Sequence, residues 1–111
     1  MAVDNFKMLH QSQIGTTAGA LYTVPANHET IIKGITLVNN DSEALWVTLF
    51  HTTGTTYTEA TKILPPITML AGGLGEFDGT ITMDAADIIG GDAEQASEIT
   101  ITIYGDEIDV S

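Results

Sequence analysis

The feature that most constrains the fold of this chain is a regular alternation of isoleucine with polar residues late in the sequence. Between Ile99 and Tyr104, isoleucine occupies every second position, and the intervening positions are threonine or tyrosine. Successive side chains of a β-strand point to opposite faces of the sheet, so this pattern predicts a strand with one buried face. We expect Gly105 to end this strand, because glycine weakens the interior of a strand.

Two segments in the first half of the chain predict further strands. Residues 44–51 place Leu45, Val47 and Leu49 on one face, which we expect to be buried. Residues 30–39 carry apolar side chains on both faces, which is typical of a central strand. On that strand we expect Ile31, Ile35 and Leu37 on one face and Ile32 and Val38 on the other. Asn and Asp residues between the two segments favour a turn, so we predict that the two strands form a hairpin.

Shorter strands and their turns complete an all-β pattern. Strands are predicted at 20–24, 62–64, 76–83 and 87–89, ended by Pro25, by Pro65 with Pro66, and by Gly90 with Gly91. The candidate core residues of the 76–83 segment are Phe77, Ile81 and Met83. Residues 92–96 are a candidate helix, but they are too few to alter the fold class.

About seven or eight short strands with turns every 8–12 residues are typical of an antiparallel β-sandwich or a jelly roll. The chain of 111 residues is long enough for one domain with its own core. We therefore predict a single all-β domain over residues 18–108. An N-terminal arm or edge strand at 1–17 precedes it, and a short acidic tail at 109–111 follows it.

The charge of the chain restricts its partners. Fifteen Asp and Glu face three Lys and no Arg, which gives a formal net charge of −12. Lys and Arg are the residues that neutralise phosphates, so we expect neither nucleic acid nor a membrane surface as a partner. No apolar run approaches the roughly 20 residues of a membrane span, and no signal peptide is visible in the first residues. We expect the protein to be made in the cytoplasm.

The negative charge is concentrated in the second half of the sequence. Residues 1–62 carry a net charge of −2, whereas residues 63–111 carry ten acids and no base. One interpretation is a solvated acidic surface. The other is a surface that meets a basic partner, with the nearly neutral first half free to contact a larger assembly.

Motifs for enzyme chemistry are absent from the sequence. The chain has no cysteine, so disulfides, zinc fingers and thiol nucleophiles are excluded. It also lacks a Gly-x-Ser-x-Gly elbow, a P-loop, a His-Glu-x-x-His motif and an EF-hand loop. We therefore expect no enzymatic activity and no cofactor.

Histidines and acidic clusters leave two metal hypotheses open. His10, His28 and His51 would form a site of cupin type only if at least two of them met. For His51 we favour a lone strand-end histidine bonded to a loop. Asp84 with Asp87, and the acids of residues 106–109, could hold Ca²⁺, although a solvated turn and an exposed tail are the simpler interpretation.

Several strand motifs occur in a distinctive order along the chain. Residues 21–27 read Leu-Tyr-Thr-Val-Pro-Ala-Asn, residues 31–40 read Ile-Ile-Lys-Gly-Ile-Thr-Leu-Val-Asn-Asn, and residues 99–108 read Ile-Thr-Ile-Thr-Ile-Tyr-Gly-Asp-Glu-Ile. This order resembles the small β-sandwich accessory proteins of tailed bacteriophage virions over roughly residues 18–108. The chain departs from the family pattern at turns. Ala26-Asn27 and Gly72-Gly73 stand where Pro-Gly is usual, and Ala86 stands where glycine is common.

The resemblance implies a non-enzymatic structural protein that binds the outside of the capsid shell as a decoration, cement or staple protein and stabilises it. It also implies the major capsid protein as a partner, a homodimer or homotrimer, and a virion location. On this basis the interface candidates are the loop of residues 64–70 and the side chains of Phe6, Met8, Leu9, Ile14, Trp46, Tyr57, Pro65, Pro66 and Ile67. Each of these side chains has an alternative place in the core.

The alternative function is a head-fibre, spike or tail module that recognises a glycan of the host surface. Such a module would use Trp46, Tyr57 and the loop of residues 54–58.

Overall fold

A computed structural model describes residues 6–54, 56–77 and 79–111, and for Phe6 the backbone alone. The predictions for residues 1–5, the Phe6 side chain, Thr55 and Asp78 lie outside the described residues. The described residues form nine strands: β1 (Phe6–Gln13), β2 (Gly19–Thr23), β3 (His28–Asn39), β4 (Leu45–Thr52), β5 (Lys62–Met69), β6 (Leu74–Phe77), β7 (Ile81–Met83), β8 (Ile88–Ala93) and β9 (Ile99–Asp109). A 3₁₀ turn, Glu59–Thr61, precedes β5. In the described part of the chain, no helix is long and apolar enough to cross a membrane.

The strands form two antiparallel sheets that pack face to face. The larger sheet has the order β1-β9-β3-β6, with β7 also paired to β3, and the smaller sheet has the order β2-β8-β4-β5. The pairing is nested, because β1 pairs with β9, β2 with β8, β3 with β6 and β7, and β4 with β5. Nested pairing across two sheets defines a jelly roll. The predicted fold class, a single all-β sandwich or jelly-roll domain, is confirmed.

The core lies between the two sheets and is built from the alternating residues of their central strands. The residues predicted to be buried are fully buried: Ile99, Ile101 and Ile103 in β9, and Leu45, Val47 and Leu49 in β4. Ile81 and Met83 of β7 are also buried, and Phe77 of β6 packs against this cluster, as predicted. Full burial of such a side chain stabilises the fold by about 1.5–3 kcal/mol, so these residues dominate the stability of the domain.

The face assignment predicted for β3 is wrong in its first half. Ile32, Ile35 and Leu37 are the buried residues, whereas Ile31 is half-buried. The register of β3 against β9 shifts between Ile32 and Gly34, which marks a β-bulge. A bulge adds one residue to one strand, so side chains before and after it exchange faces. A strict alternation read from sequence does not include such an insertion.

The predicted hairpin between the segments 30–39 and 44–51 is also wrong. β3 belongs to the larger sheet and β4 to the smaller one, so the connection crosses the sandwich. Asn39 organises this crossing and is fully buried. Its side-chain amide donates to the carbonyl oxygens of Glu43 at 3.0 Å and Met69 at 3.1 Å, and its Oδ1 accepts from the Asp41 N–H at 2.9 Å. Turn residues flanked by alternating segments are common to hairpins and crossings, so the pattern does not separate them.

Glycines lie inside two strands that they were expected to end. β9 continues past Gly105, and β8 continues through Gly90 and Gly91, so both predicted strand ends are wrong. A Cβ atom on Gly105 would contact the Ile31 carbonyl oxygen and would lie 2.9 Å from Ile32 Cα. Glycine at this position therefore permits the close approach of β3 and β9 beside the bulge.

β5 likewise runs through Pro65 and Pro66, the pair predicted to end it. β5 is an edge strand, where proline is tolerated because one side of the strand needs no ladder hydrogen bonds. Val47 lies opposite Ile67 but Leu49 lies opposite Leu64, so the prolines occupy a bulge in the pairing with β4.

The edge strands lie in pairs on two sides of the sandwich. β1 and β2 are the edges on one side, and they contact each other. β5 and β6 are the edges on the other side, where residues 70–73 connect them. We call the side that carries β5 and β6 the open side.

The acidic second half of the chain does not occupy one side of the molecule. β8 lies between β2 and β4, and β9 lies between β1 and β3, so strands from both halves alternate in each sheet. The acids of β8 and β9 therefore belong to different sheets. The expected separation of an acidic side from a neutral side is not observed.

Candidate functional site

A groove of about 420 Å³ lies on the outer face of the smaller sheet, and we call it the outer groove. Its lining residues come from three strands: Trp46, Thr48 and Phe50 of β4, Lys62, Pro66 and Thr68 of β5, and Asp92 of β8. The register places Trp46 opposite Thr68 and Thr48 opposite Asp92. Alternation along β4 explains the floor, because Leu45, Val47 and Leu49 point into the core and the residues between them face outward.

Aromatic residues close one end of the outer groove. Phe50 is buried although it faces outward, because Tyr57 packs against it edge to face with ring centroids 5.6 Å apart. The Tyr57 ring also lies on Gly90, where a Cβ atom would contact it. Such a ring pair contributes about 0.5–1.5 kcal/mol, so Tyr57 holds its loop against the sheet. Trp46, nearer the other end, is half-buried.

Asp92 is the acidic group of the outer groove. Its Oδ1 atom is buried, and within the described residues no donor lies at hydrogen-bond distance from it. Burial raises the pKa of the Asp92 carboxyl, and the positive charge of Lys62 opposes this rise. A buried acceptor without a donor costs about 1–3 kcal/mol. The groove therefore contains a half-buried carboxyl group beside the positive charge of Lys62.

The open side carries a second, apolar surface, which adjoins the outer groove at Thr68. A pocket of about 280 Å³ is lined there by residues 67–70 and 73–75. Leu70 and Leu74 belong to this lining and are 73% and 65% exposed. Exposed leucines beside edge strands are typical of surfaces that bind another protein chain.

Three of the predicted interface residues come together at the outer groove. Trp46 and Pro66 line it, and Tyr57 packs on Phe50 at its end. Pro65 precedes Pro66 on β5 and is exposed.

The remaining interface candidates lie elsewhere. Ile67 is half-buried and lines the pocket of the open side. On β1, which is the edge strand of the larger sheet, Met8 is exposed and Leu9 is half-buried against the core. Ile14 is fully buried and occupies the core position considered as its alternative.

The three histidines lie on different strands and bond to different partners. His10 of β1 lies 2.7 Å from the Ser12 hydroxyl, and His28 at the start of β3 donates to a backbone carbonyl. His51 of β4 donates to Asp87 at 3.4 Å, the bond to a loop residue that the sequence suggested. In the described ranges, no three His, Cys, Asp or Glu side chains are grouped so that they could hold a metal ion.

Acids of β9 make structural contacts between strands. Asp106 pairs with Lys33 at 2.9 Å. Glu107 accepts from the Tyr22 hydroxyl at 2.6 Å, and its other oxygen lies 3.7 Å from Lys7 Nζ. Burial and the bond to Glu107 raise the pKa of the Tyr22 hydroxyl. Because β2 and β9 belong to different sheets, the bond between Tyr22 and Glu107 joins the two layers.

The comparisons with known proteins identify the fold. No family model and no curated protein matches the chain. A chain of the acidic stable capsid structure of Helicobacter pylori bacteriophage KHP30 matches with a TM-score of 0.56 and 10% identity, over 100% of this chain and 94% of that chain. A chain of the disulfide-linked pili of Bacillus endospore appendages matches with a TM-score of 0.58 and 15% identity, over 99% of this chain and 89% of that chain. Both likenesses span the whole jelly roll.

Asp92 and Leu74 belong to these surfaces and were missed by sequence reasoning. Asp92 reaches the outer groove through the pairing of β8 with β4, opposite Thr48, and the continuation of β8 past Gly91 was not expected. Leu74 directly follows the pair Gly72-Gly73. Its place beside this turn was the signal from which the exposure of its side chain could have been predicted.

Proposed function

We propose that this chain is a non-enzymatic structural protein of a virion, which binds the outside of a capsid shell as a decoration protein and stabilises it. The observation that carries the proposal is the open side, where two edge strands meet the exposed side chains of Leu70 and Leu74. Edge strands pair readily with another chain, and burial of apolar surface contributes about 25 cal/mol per Å². The likeness to a chain of a phage capsid structure supports this setting.

The major capsid protein is the proposed partner, and we infer that copies of the chain also associate with one another. Both similar structures are parts of large assemblies, a capsid and a pilus. The edges formed by β1 and β2 lie on the side opposite the open side, so each copy offers two different edges for pairing. The net charge of −12 supports the role, because mutual repulsion keeps unassembled copies soluble.

The test uses shells assembled from the major capsid protein of the same genome, produced without this chain. Purified protein is added to the shells, and bound copies are counted after sedimentation while shell rupture is followed by heating. We expect binding that saturates and a higher rupture temperature. The double substitution Leu70→Asp with Leu74→Asp should abolish binding, because it places two charges in the contact.

The matched control is Val110→Asp, which changes an exposed apolar residue outside the open side. It should bind as the unmodified chain does. Shells that fail to bind the chain would contradict the proposal, and shells that bind it but rupture at an unchanged temperature would contradict the stabilising role. A few copies confined to a vertex or tail would favour the fibre or tail alternative.

A further inference from the structure

We propose that the outer groove is a binding site for a neutral oligosaccharide, with Trp46 stacking on a sugar ring and Asp92 accepting hydrogen bonds from sugar hydroxyls. The groove faces outward from the smaller sheet, and its proposed ligand does not depend on capsid binding through the open side.

The polar groups of the groove suit a ligand rich in hydroxyls. Asp92 is half-buried and lines the groove. Thr48 lies opposite Asp92 in the register, and Thr68 lies across the floor beside Trp46. A hydroxyl both donates and accepts, as sugar hydroxyls do, so threonines and a carboxylate together can satisfy several of them. A sugar hydroxyl would donate to the part of the half-buried Asp92 carboxyl that lines the groove.

The apolar part of the groove suits the flat face of a sugar ring. Trp46 is half-buried, so part of its indole ring remains accessible in the groove. Trp46 and Phe50 are four residues apart on one strand face, a distance of about 13 Å. The volume of about 420 Å³ falls within the usual range of small-molecule sites. The separation of about 13 Å between Trp46 and Phe50 favours an oligosaccharide over a single sugar.

Charge and backbone pairing make other classes of ligand less suited to the groove. Lys62 and Asp92 line the same groove with opposite charges, so the groove favours a neutral ligand over an anion or a cation. The backbone of β4 is paired on both sides, with β5 and with β8. The backbone of β4, in the middle of the floor, therefore has no free edge to which an extended peptide could add as a strand.

The experiment titrates the full chain with maltotriose, cellotriose and triacetylchitotriose, followed by amide NMR and by tryptophan emission. Trp46 is the one tryptophan of the sequence, so its emission reports on the groove alone. Each sugar is added to about 10 mM, which is tenfold above a Kd of 1 mM. We expect at least one trisaccharide to shift the emission and to move the amides of β4, β5 and β8.

Three variants distinguish specific binding in the outer groove from non-specific binding elsewhere on the surface. Trp46→Ala should abolish the amide shifts, and Asp92→Asn should weaken binding at least tenfold. Tyr104→Ala, which removes an exposed aromatic ring from the larger sheet, should bind as the unmodified chain does. Asp92→Asn should also unfold at no lower temperature, because burial already disfavours the charged carboxylate.

Two results would overturn the inference. One is the absence of any shift with all three sugars. The other is equal binding by the unmodified chain, Trp46→Ala and Asp92→Asn. Shell binding by Leu70→Asp with Leu74→Asp is measured separately, so failure of the saccharide site and failure of the decoration role give different outcomes.

Discussion

Two turn residues other than glycine, Asn27 and Ala86, have left-handed backbone conformations in the turns after β2 and β7. Asn27 has a φ of 62° and Ala86 has a φ of 72°. Asparagine tolerates this conformation, whereas the Cβ of alanine makes it less favourable by roughly 1–2 kcal/mol. The Ala86 N–H donates to the Val24 carbonyl oxygen at 3.1 Å, so the turn before β8 is fixed to the end of β2. Ala86 therefore holds local strain at a position where glycine would adopt the same conformation without it.

Replacing Ala86 with glycine is expected to raise the free energy of unfolding by about 0.5–1 kcal/mol. The relief of strain exceeds the entropy that glycine adds to the unfolded chain. Ala85→Gly is the matched control, because Ala85 is also exposed and lacks a positive φ. That change should lower stability. Urea denaturation, monitored through Trp46 emission, measures the free energy of unfolding of both variants. A lower value for Ala86→Gly than for the unmodified chain would contradict the argument.

At the scale of the strands, the pairing of β3 with β9 depends on one glycine. Gly105→Ala should lower the free energy of unfolding by about 1–3 kcal/mol or more, because the new methyl group would contact the backbone of β3. Gly34→Ala is the control on the same strand pair, since a Cβ there meets no atom within 4 Å. It should change stability by less than about 0.5 kcal/mol. Equal losses in the two variants, measured by thermal unfolding, would show that the close approach at Gly105 is unimportant.

The sequence predicts the buried faces of the regular strands and not the irregular positions. Ile99, Ile101 and Ile103 were identified by alternation because each contributes a local signal. The bulge after Ile32 and the crossing at Asn39 depend on contacts with strands distant in the sequence, so no local pattern reports them. The outer groove follows the same rule, because Trp46 was a candidate, whereas Asp92, which joins the groove through the pairing of β8 with β4, was not.

The whole molecule is strongly acidic, and its few positive charges are already engaged. Lys7, Lys33 and Lys62 each lie within 4.0 Å of an acidic oxygen. Most of the fifteen acids therefore repel one another, and this repulsion lowers the stability of the compact state. Because salt screens exposed charges, the effect depends on ionic strength.

Raising NaCl from about 10 mM to 1 M shortens the Debye length from about 30 Å to 3 Å, and we expect the Tm to rise. Each kcal/mol gained should raise it by about 4–8 °C in a domain of this size. Near pH 4.1, the isoelectric point, the same addition should have little effect. Circular dichroism measures both series. A Tm that falls with salt at pH 7 would show that the lysine pairs outweigh the repulsion.

The nested pairing has a consequence for how the protein is made on the ribosome. β8 and β9 occupy central positions in the two sheets, yet they are the last strands to be synthesised. Until β9 emerges, β1 and β3 have no strand between them, and the edges of both remain available to other chains. A stalled nascent chain that ends before Ile99 should therefore stay protease-sensitive and bound by chaperones. A nascent chain that has released β9 from the ribosome should fold and become protease-resistant.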